Sequence, residues 1–142
     1  MKKIFLIAGV AFMALTTGCT KEQTIGMHLG GDSWKITAIG GSSTTSVDGV
    51  AGTPTTPGQG SLNNVYAFDK ESTGVLTMAD GDENSFFWSV DEEVLTIDGS
   101  MYLITEDSSK KQVWTNKGTY SYEMSGKKYK TVYETNYTVE KQ

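Results

Sequence analysis

Among its 142 residues the chain has no arginine, one histidine, one cysteine and two prolines. Each shortage excludes something. Without the planar guanidinium fork that grips phosphate through paired hydrogen bonds, and with a formal net charge of −5, the chain is a poor partner for nucleic acid. One histidine and one cysteine are too few for a histidine-cysteine metal cluster, and a lone cysteine leaves no intrachain disulfide. His28 lies in a polar N-terminal stretch, where nothing in the sequence holds it within hydrogen-bond reach of a nucleophile. A Gly-x-Ser-x-Gly elbow and a glycine-rich phosphate loop are also missing. The expectation is a protein that is not an enzyme and needs no cofactor. A long hydrophobic run is lacking too: Ile4 to Leu15 is about twelve residues, against the roughly 20 that span a bilayer.

What is present begins with that short run. Met1-Lys2-Lys3 supplies a positive start, the apolar segment follows, and Thr16-Thr17-Gly18-Cys19 places small residues around a cut site. The arrangement resembles a bacterial lipoprotein signal. The resemblance implies removal of residues 1–18, a diacylglycerol thioether on Cys19 and a fatty acyl group such as palmitate on its amine. Two or three chains pass beyond the reversible binding that a single acyl chain gives. Thr20 after the cysteine, rather than Asp, implies export to the outer membrane, facing either the periplasm or the outside. The alternative is an ordinary secretory peptide cut near Gly18, which leaves Cys19 as a free thiol. Without Lys2 and Lys3, ten lysines face seventeen acids, a formal charge of −7. The membrane is therefore expected to be held through the lipid anchor and not through the folded body.

Residues 19–32, bearing Gly26, Gly30 and Gly31, read as a flexible lipidated tether, and residues 33–142 as one domain. Trp34, Ile36 and Ala38 alternate with Lys35, Thr37 and Ile39 as a first strand. Residues 40–61 are mostly Gly, Ser and Thr with Pro54 and Pro57, and read as a mobile loop with too little apolar surface to order itself. Short strands then arrive at hairpin intervals. Turns are expected at Ser72-Thr73-Gly74, Asp80-Gly81-Asp82, Glu92-Glu93, Asp98-Gly99, Lys117-Gly118 and Ser125-Gly126. The closing strand sets Tyr129, Thr131, Tyr133, Thr135, Tyr137 and Val139 on one face. No window carries a convincing helical face. The fold class is all-β: an antiparallel up-and-down meander that closes into a small barrel of about eight strands, because closure removes the exposed edges.

Gly31-Asp32-Ser33-Trp34-Lys35-Ile36, the long loop, Phe87-Trp88-Ser89-Val90, Leu95-Thr96-Ile97 and the last strand together resemble the lipocalin-like, calycin-type domains of small bacterial lipoproteins. The resemblance implies that Trp34 plugs a closed barrel end; if the barrel binds a ligand, the loop of residues 40–61 is expected to act as a lid over its open mouth. An eight-stranded barrel is either filled by side chains or holds one small ligand. If Phe86, Trp88, Leu95, Ile97, Met101 and Leu103 all point inward, it is filled.

Tyr129, Tyr133 and Tyr137 are the candidate ligand-binding ladder, with Trp114, Tyr120 and Tyr122 as neighbours, because tyrosine joins an apolar face to a polar tip. The same pattern suits a half-buried strand. Asp80, Asp82, Asn84 and Asp91 follow calcium-loop spacing loosely, with Ser85 where the loop needs glycine, and read as a solvated hairpin with no metal expected. Two functions stay open. One is an anchored barrel binding a small hydrophobic or amphiphilic ligand; the other is a filled, non-enzymatic module that contacts an envelope protein partner.

Overall fold

The computed structural model describes residues 19–142, so the expected signal peptide lies outside the described residues. One helix, α1 (Lys21–Leu29), precedes nine strands: β1 (Ser33–Val47), β2 (Val50–Ala51), β3 (Val65–Phe68), β4 (Thr73–Thr77), β5 (Glu83–Asp91), β6 (Val94–Ile97), β7 (Ser100–Asp107), β8 (Lys111–Met124) and β9 (Lys127–Lys141). Every pairing is antiparallel. β1 and then β3 to β9 follow one another around a wall of eight strands, and β9 returns to β1 and closes it. β2 adds a short ninth strand beside the far end of β1. The fold is therefore the expected all-β meander, closed as a barrel.

The tight turns follow from residues that accept positive φ. Asp98 and Gly99 sit at φ 46° and 81°, and Ser125 and Gly126 at 51° and 74°, the pattern of a two-residue hairpin whose twist matches its strands. The same chemistry acts at Asp48-Gly49, with φ 50° and 86°. That turn lies inside the segment expected to be a mobile loop, and the expectation is corrected there. β1 runs on through Gly40–Val47 in continuous register with β9, from Gly40 opposite Asn136 to Val47 opposite Tyr129. Backbone pairing needs no apolar side chain, so a Gly/Ser/Thr run can serve as a strand when a long partner lies beside it. Only the remainder, from residue 52 to 61, is loop, pinned by a bridge between Ser43 and Thr55.

The expected turn at Lys117-Gly118 is likewise absent. β8 is one strand of 14 residues. β1, β8 and β9 thus outgrow their short neighbours, and beyond the barrel rim they continue as a three-stranded arm edged by β2.

Two bulges set which residues face inward. One extra residue on β1, Thr37, turns the strand so that Ile36 and Ile39, rather than Ala38, point to the core. On β7 the extra residue is Thr105. The two-residue turn at Asp98-Gly99 sets Ile97 opposite Ser100, so Tyr102 and Ile104 face inward. Met101 is 65% exposed and Leu103 lies outside with it. The inward assignment of Met101 and Leu103 was one residue out of step. Phe86, Leu95 and Ile97 are buried as expected, and Trp88 packs against them.

The segment expected to be a flexible tether is a helix from residue 21 to 29. Thr20 caps it: its hydroxyl accepts from the Gln23 N–H while the Gln23 side chain accepts from the Thr20 N–H, a capping box. Ile25 and Leu29, one turn apart, are fully buried in the barrel core. Lys21 pairs with Glu93 at the β5–β6 turn, and Gly31 donates to the Phe68 carbonyl. Two buried side chains and these ties carry a helix whose remaining residues are mostly polar, which is why no helical face stood out in the sequence.

Candidate functional site

The barrel axis is filled. Phe68 meets Phe86, Trp88 and Trp114 edge-on at centroid distances of 5.2, 5.2 and 5.9 Å, an arrangement that suits the ring quadrupoles. Tyr66 meets Trp114 at 5.5 Å and Phe86 at 5.7 Å. Trp34 is fully buried, and its indole N–H has no acceptor among the described residues.

Toward the arm the rings become tyrosines. Tyr102 lies 5.9 Å from Tyr137 and 6.2 Å from Trp114. Burial pushes the Tyr66 hydroxyl up to about 12, with the phenolates of Tyr102 and Tyr137 adding to it. Tyr102 and Tyr137 are raised too, by burial first and then by neighbouring tyrosines, Tyr133 among them. These groups strongly favour their neutral, hydrogen-bonding form.

On the arm the same inner face carries the rest. Tyr122 and Tyr129 sit opposite each other with rings 4.9 Å apart and 3° from parallel. Tyr120 follows at 6.4 Å from Tyr122 and 6.3 Å from Tyr133. Tyr120 is 54% exposed and Tyr122 46%, while Thr131 beneath them is buried and joined to Thr45 by a 2.8 Å hydroxyl bond. One surface of tyrosine therefore leaves the barrel interior and continues along the arm. A groove of about 460 Å³ at the arm's tip is lined by Tyr122, Tyr129, Ser46 and Lys128, among others.

Of the expected site residues, Tyr120, Tyr122, Tyr129 and Tyr133 come together as this surface, and Tyr137 joins it at the barrel rim. Trp114 is in the core beneath it and not available to a ligand. Tyr66 and Tyr102 belong to the cluster and were missed. Tyr102 was lost to the one-residue misassignment of β7; Tyr66 was legible, since it alternates with Phe68. The loosely spaced Asp80, Asp82, Asn84 and Asp91 do not converge. Asp82 precedes β5 and Asp91 ends it, and nine strand residues at about 3.3 Å each separate the two by nearly 30 Å.

His28 has a partner after all, because the tether is helical. Its Nδ1 meets the Asp107 carboxylate at 2.9 and 3.0 Å. Gln112, fully buried, donates to Asp107 at 2.6 Å and accepts from the Trp114 indole at 2.8 Å. An indole N–H only donates and a carboxylate only accepts, so this amide has one satisfactory orientation. The chain His28–Asp107–Gln112–Trp114 ties α1 to the barrel interior.

Cys19 is exposed just ahead of α1. It borders an outer groove of about 680 Å³ with Gln23, Met27, Lys70 and Trp88. Comparison with protein-family models, curated proteins and solved structures gave no match to the chain.

Proposed function

We propose that the protein is a non-enzymatic, lipid-anchored envelope module with a lipocalin-like barrel, and that it takes its ligand on the tyrosine surface of the arm rather than inside the barrel. The observation that carries this reading is the parallel, stacked Tyr122–Tyr129 pair, continued by Tyr120 and Tyr133 along the arm beyond a ring-filled interior. Flat aromatic faces with hydroxyl tips suit an amphiphilic ligand that has one apolar plane and polar edges, such as a sugar chain or a sterol. Cys19, exposed outside the barrel, is free to carry acyl chains into the outer membrane without disturbing the fold.

The test is native mass spectrometry of the protein purified from its own host, followed by binding of the released molecule to a Tyr120→Ala/Tyr122→Ala/Tyr129→Ala variant. A co-purifying amphiphile whose binding is lost in the variant supports the reading; unaltered binding overturns it. The anchor is tested separately by the intact mass, which must include fatty-acid increments.

A second reading draws on the outward apolar side chains Phe87, 72% exposed, and Met101. In it the filled barrel is a structural module whose outer face touches another envelope protein. Absence of any co-purifying small molecule favours this one.

A further inference from the structure

All seven tyrosines of the chain belong to one network of neighbouring rings. Tyr66 and Tyr102 both lie against Trp114, at 5.5 and 6.2 Å between centroids, and Tyr102 lies 5.9 Å from Tyr137. Tyr133 is close enough to Tyr137 to raise its hydroxyl. From Tyr133 the rings continue to Tyr120 at 6.3 Å, to Tyr122 at 6.4 Å and to Tyr129 at 4.9 Å. The two ends of this network differ in what they can do with a proton. A phenol or indole that loses an electron becomes a strong acid, and it keeps the electron vacancy only where its proton can leave. In the barrel, burial holds the Tyr66 hydroxyl neutral up to about 12, and the Trp114 N–H faces an amide oxygen of Gln112, a very weak base. On the arm, Tyr120 and Tyr122 are half-exposed and water takes the proton. An oxidising equivalent that enters the network therefore comes to rest on the arm.

We infer that Tyr122 and Tyr129 form an oxidative cross-linking site, at which a dityrosine bond joins β8 to β9 near the tip of the arm. The two residues stand directly opposite each other in the ladder, where Cβ atoms lie about 4.5–5.5 Å apart, and their rings are already stacked and parallel. Each phenol gives one electron and its hydroxyl proton to a one-electron oxidant, such as a haem peroxidase charged by hydrogen peroxide. The two phenoxyl radicals couple through the ring carbons next to the hydroxyl-bearing carbons. Each coupled carbon then sheds its hydrogen as a proton, each oxygen regains a proton, and both rings are aromatic again. One C–C bond replaces two C–H bonds, and one peroxide is reduced to two waters. Proximity decides the outcome: a lone surface radical must wait for a second molecule, whereas here the partner ring is held in contact. The bond closes only the short hairpin between the two residues, so it fixes the tip of the arm more than it stabilises the fold. The inference does not depend on a ligand for the tyrosine surface.

The experiment is treatment of the full chain, dilute and in detergent, with a haem peroxidase and limiting hydrogen peroxide, read by dityrosine fluorescence, denaturing gel and mass. The product should run as a monomer and be two hydrogens lighter. Cleavage after lysine should release residues 118–127, which hold Tyr122, joined to the peptide that holds Tyr129. Tyr122→Phe and Tyr129→Phe should each lose the bridge with an unchanged far-ultraviolet spectrum, since each removes only a hydroxyl; Tyr66→Phe and Tyr102→Phe should keep it. Irradiation in the tryptophan absorption band tests the route. A Tyr120→Phe/Tyr133→Phe variant should form the bridge with peroxidase as before but lose most of it on irradiation, and an equal irradiation yield would overturn the route through the rings. The site itself is overturned by cross-links that join only separate molecules, by a bridge that survives either Tyr122→Phe or Tyr129→Phe, or by oxygen added at the exposed Met27, Met101 and Met124 with no loss of hydrogen.

Discussion

Gly118 lies opposite Tyr133 on the neighbouring strand, and a Cβ on it would sit 2.8 Å from the phenol oxygen and 3.1 Å from Cζ. The missing side chain lets the Tyr133 ring lie flat across β8. The same device recurs in the core, where Gly74 stands opposite Phe86 and its Cβ would come within 2.3 Å of the ring and 2.4 Å of the Ala67 carbonyl oxygen. These glycines are places where an aromatic ring crosses a strand, and not turns.

The two sites differ in what can yield. Phe86 is buried and the Ala67 carbonyl is backbone, so Gly74→Ala should cost about 1–3 kcal/mol by overpacking. Tyr133 is half-exposed and its far end can swing out, so Gly118→Ala should cost well under about 1 kcal/mol while altering the tyrosine surface. Urea denaturation of both variants checks the order; equal losses would count against this account.

Alkaline pH should unfold the protein. Tyr66, at about 12 in the fold, titrates near 10 in the unfolded chain, and Tyr102 and Tyr137 are raised in the same direction. The folded state thus holds these protons more tightly. Their contribution is complete below the unfolded value of about 10 and is lost as pH climbs through 10 to 12. Thermal melts across that window should fall steeply, and Tyr66→Phe should flatten the decline. Phenolate absorbance followed in parallel reports the titration itself.

Gln112→Leu should destabilise by about 1–3 kcal/mol, because it leaves the buried Trp114 N–H without an acceptor and takes a donor from Asp107. Trp34→Phe is the contrasting case: the Trp34 indole has no acceptor to lose among the described residues, so only packing changes. Trp114→Phe should therefore be the worse of the two tryptophan substitutions. His28→Ala should leave the barrel intact but speed amide hydrogen exchange in residues 21–29. Protection of α1 equal to that of the unsubstituted chain would show that the latch does not hold it.

Met101→Lys should change stability by no more than about 0.5 kcal/mol, as an exposed substitution does. Ile104→Ala, three residues on and buried, should cost about 2–4 kcal/mol. The reverse order would place the inner face of β7 where the alternation in the sequence first suggested.

Much of this was legible in advance. The closing strand reads correctly face by face, because period-two alternation of tyrosine and charge leaves a single way to lay it on a sheet. The turns at Asp98-Gly99 and Ser125-Gly126 follow from residues that accept positive φ. The inner face of β7 was recoverable by counting: a two-residue turn makes Ile97 and Ser100 neighbours on one face, and Tyr102 follows. Asp48-Gly49 carried the signal of a hairpin, hidden by the low-complexity residues around it. Lys117-Gly118 carried the signal of a turn and is not one, since Gly118 answers to Tyr133 and not to a change of direction.

Composition and alternation by themselves determined a strand-built, arginine-free, acidic body with the tyrosines of its closing strand on one face, because those properties are local and additive along the chain. Tertiary structure decided what depended on a distant partner. β9 made a strand of Gly40–Val47, the barrel end made a helix of residues 21–29 by burying Ile25 and Leu29, and Asp107 gave His28 its bond. It also decided that the barrel is filled with rings and that β8 and β9 continue past the rim as an arm, since both follow from how far each strand runs past its neighbours.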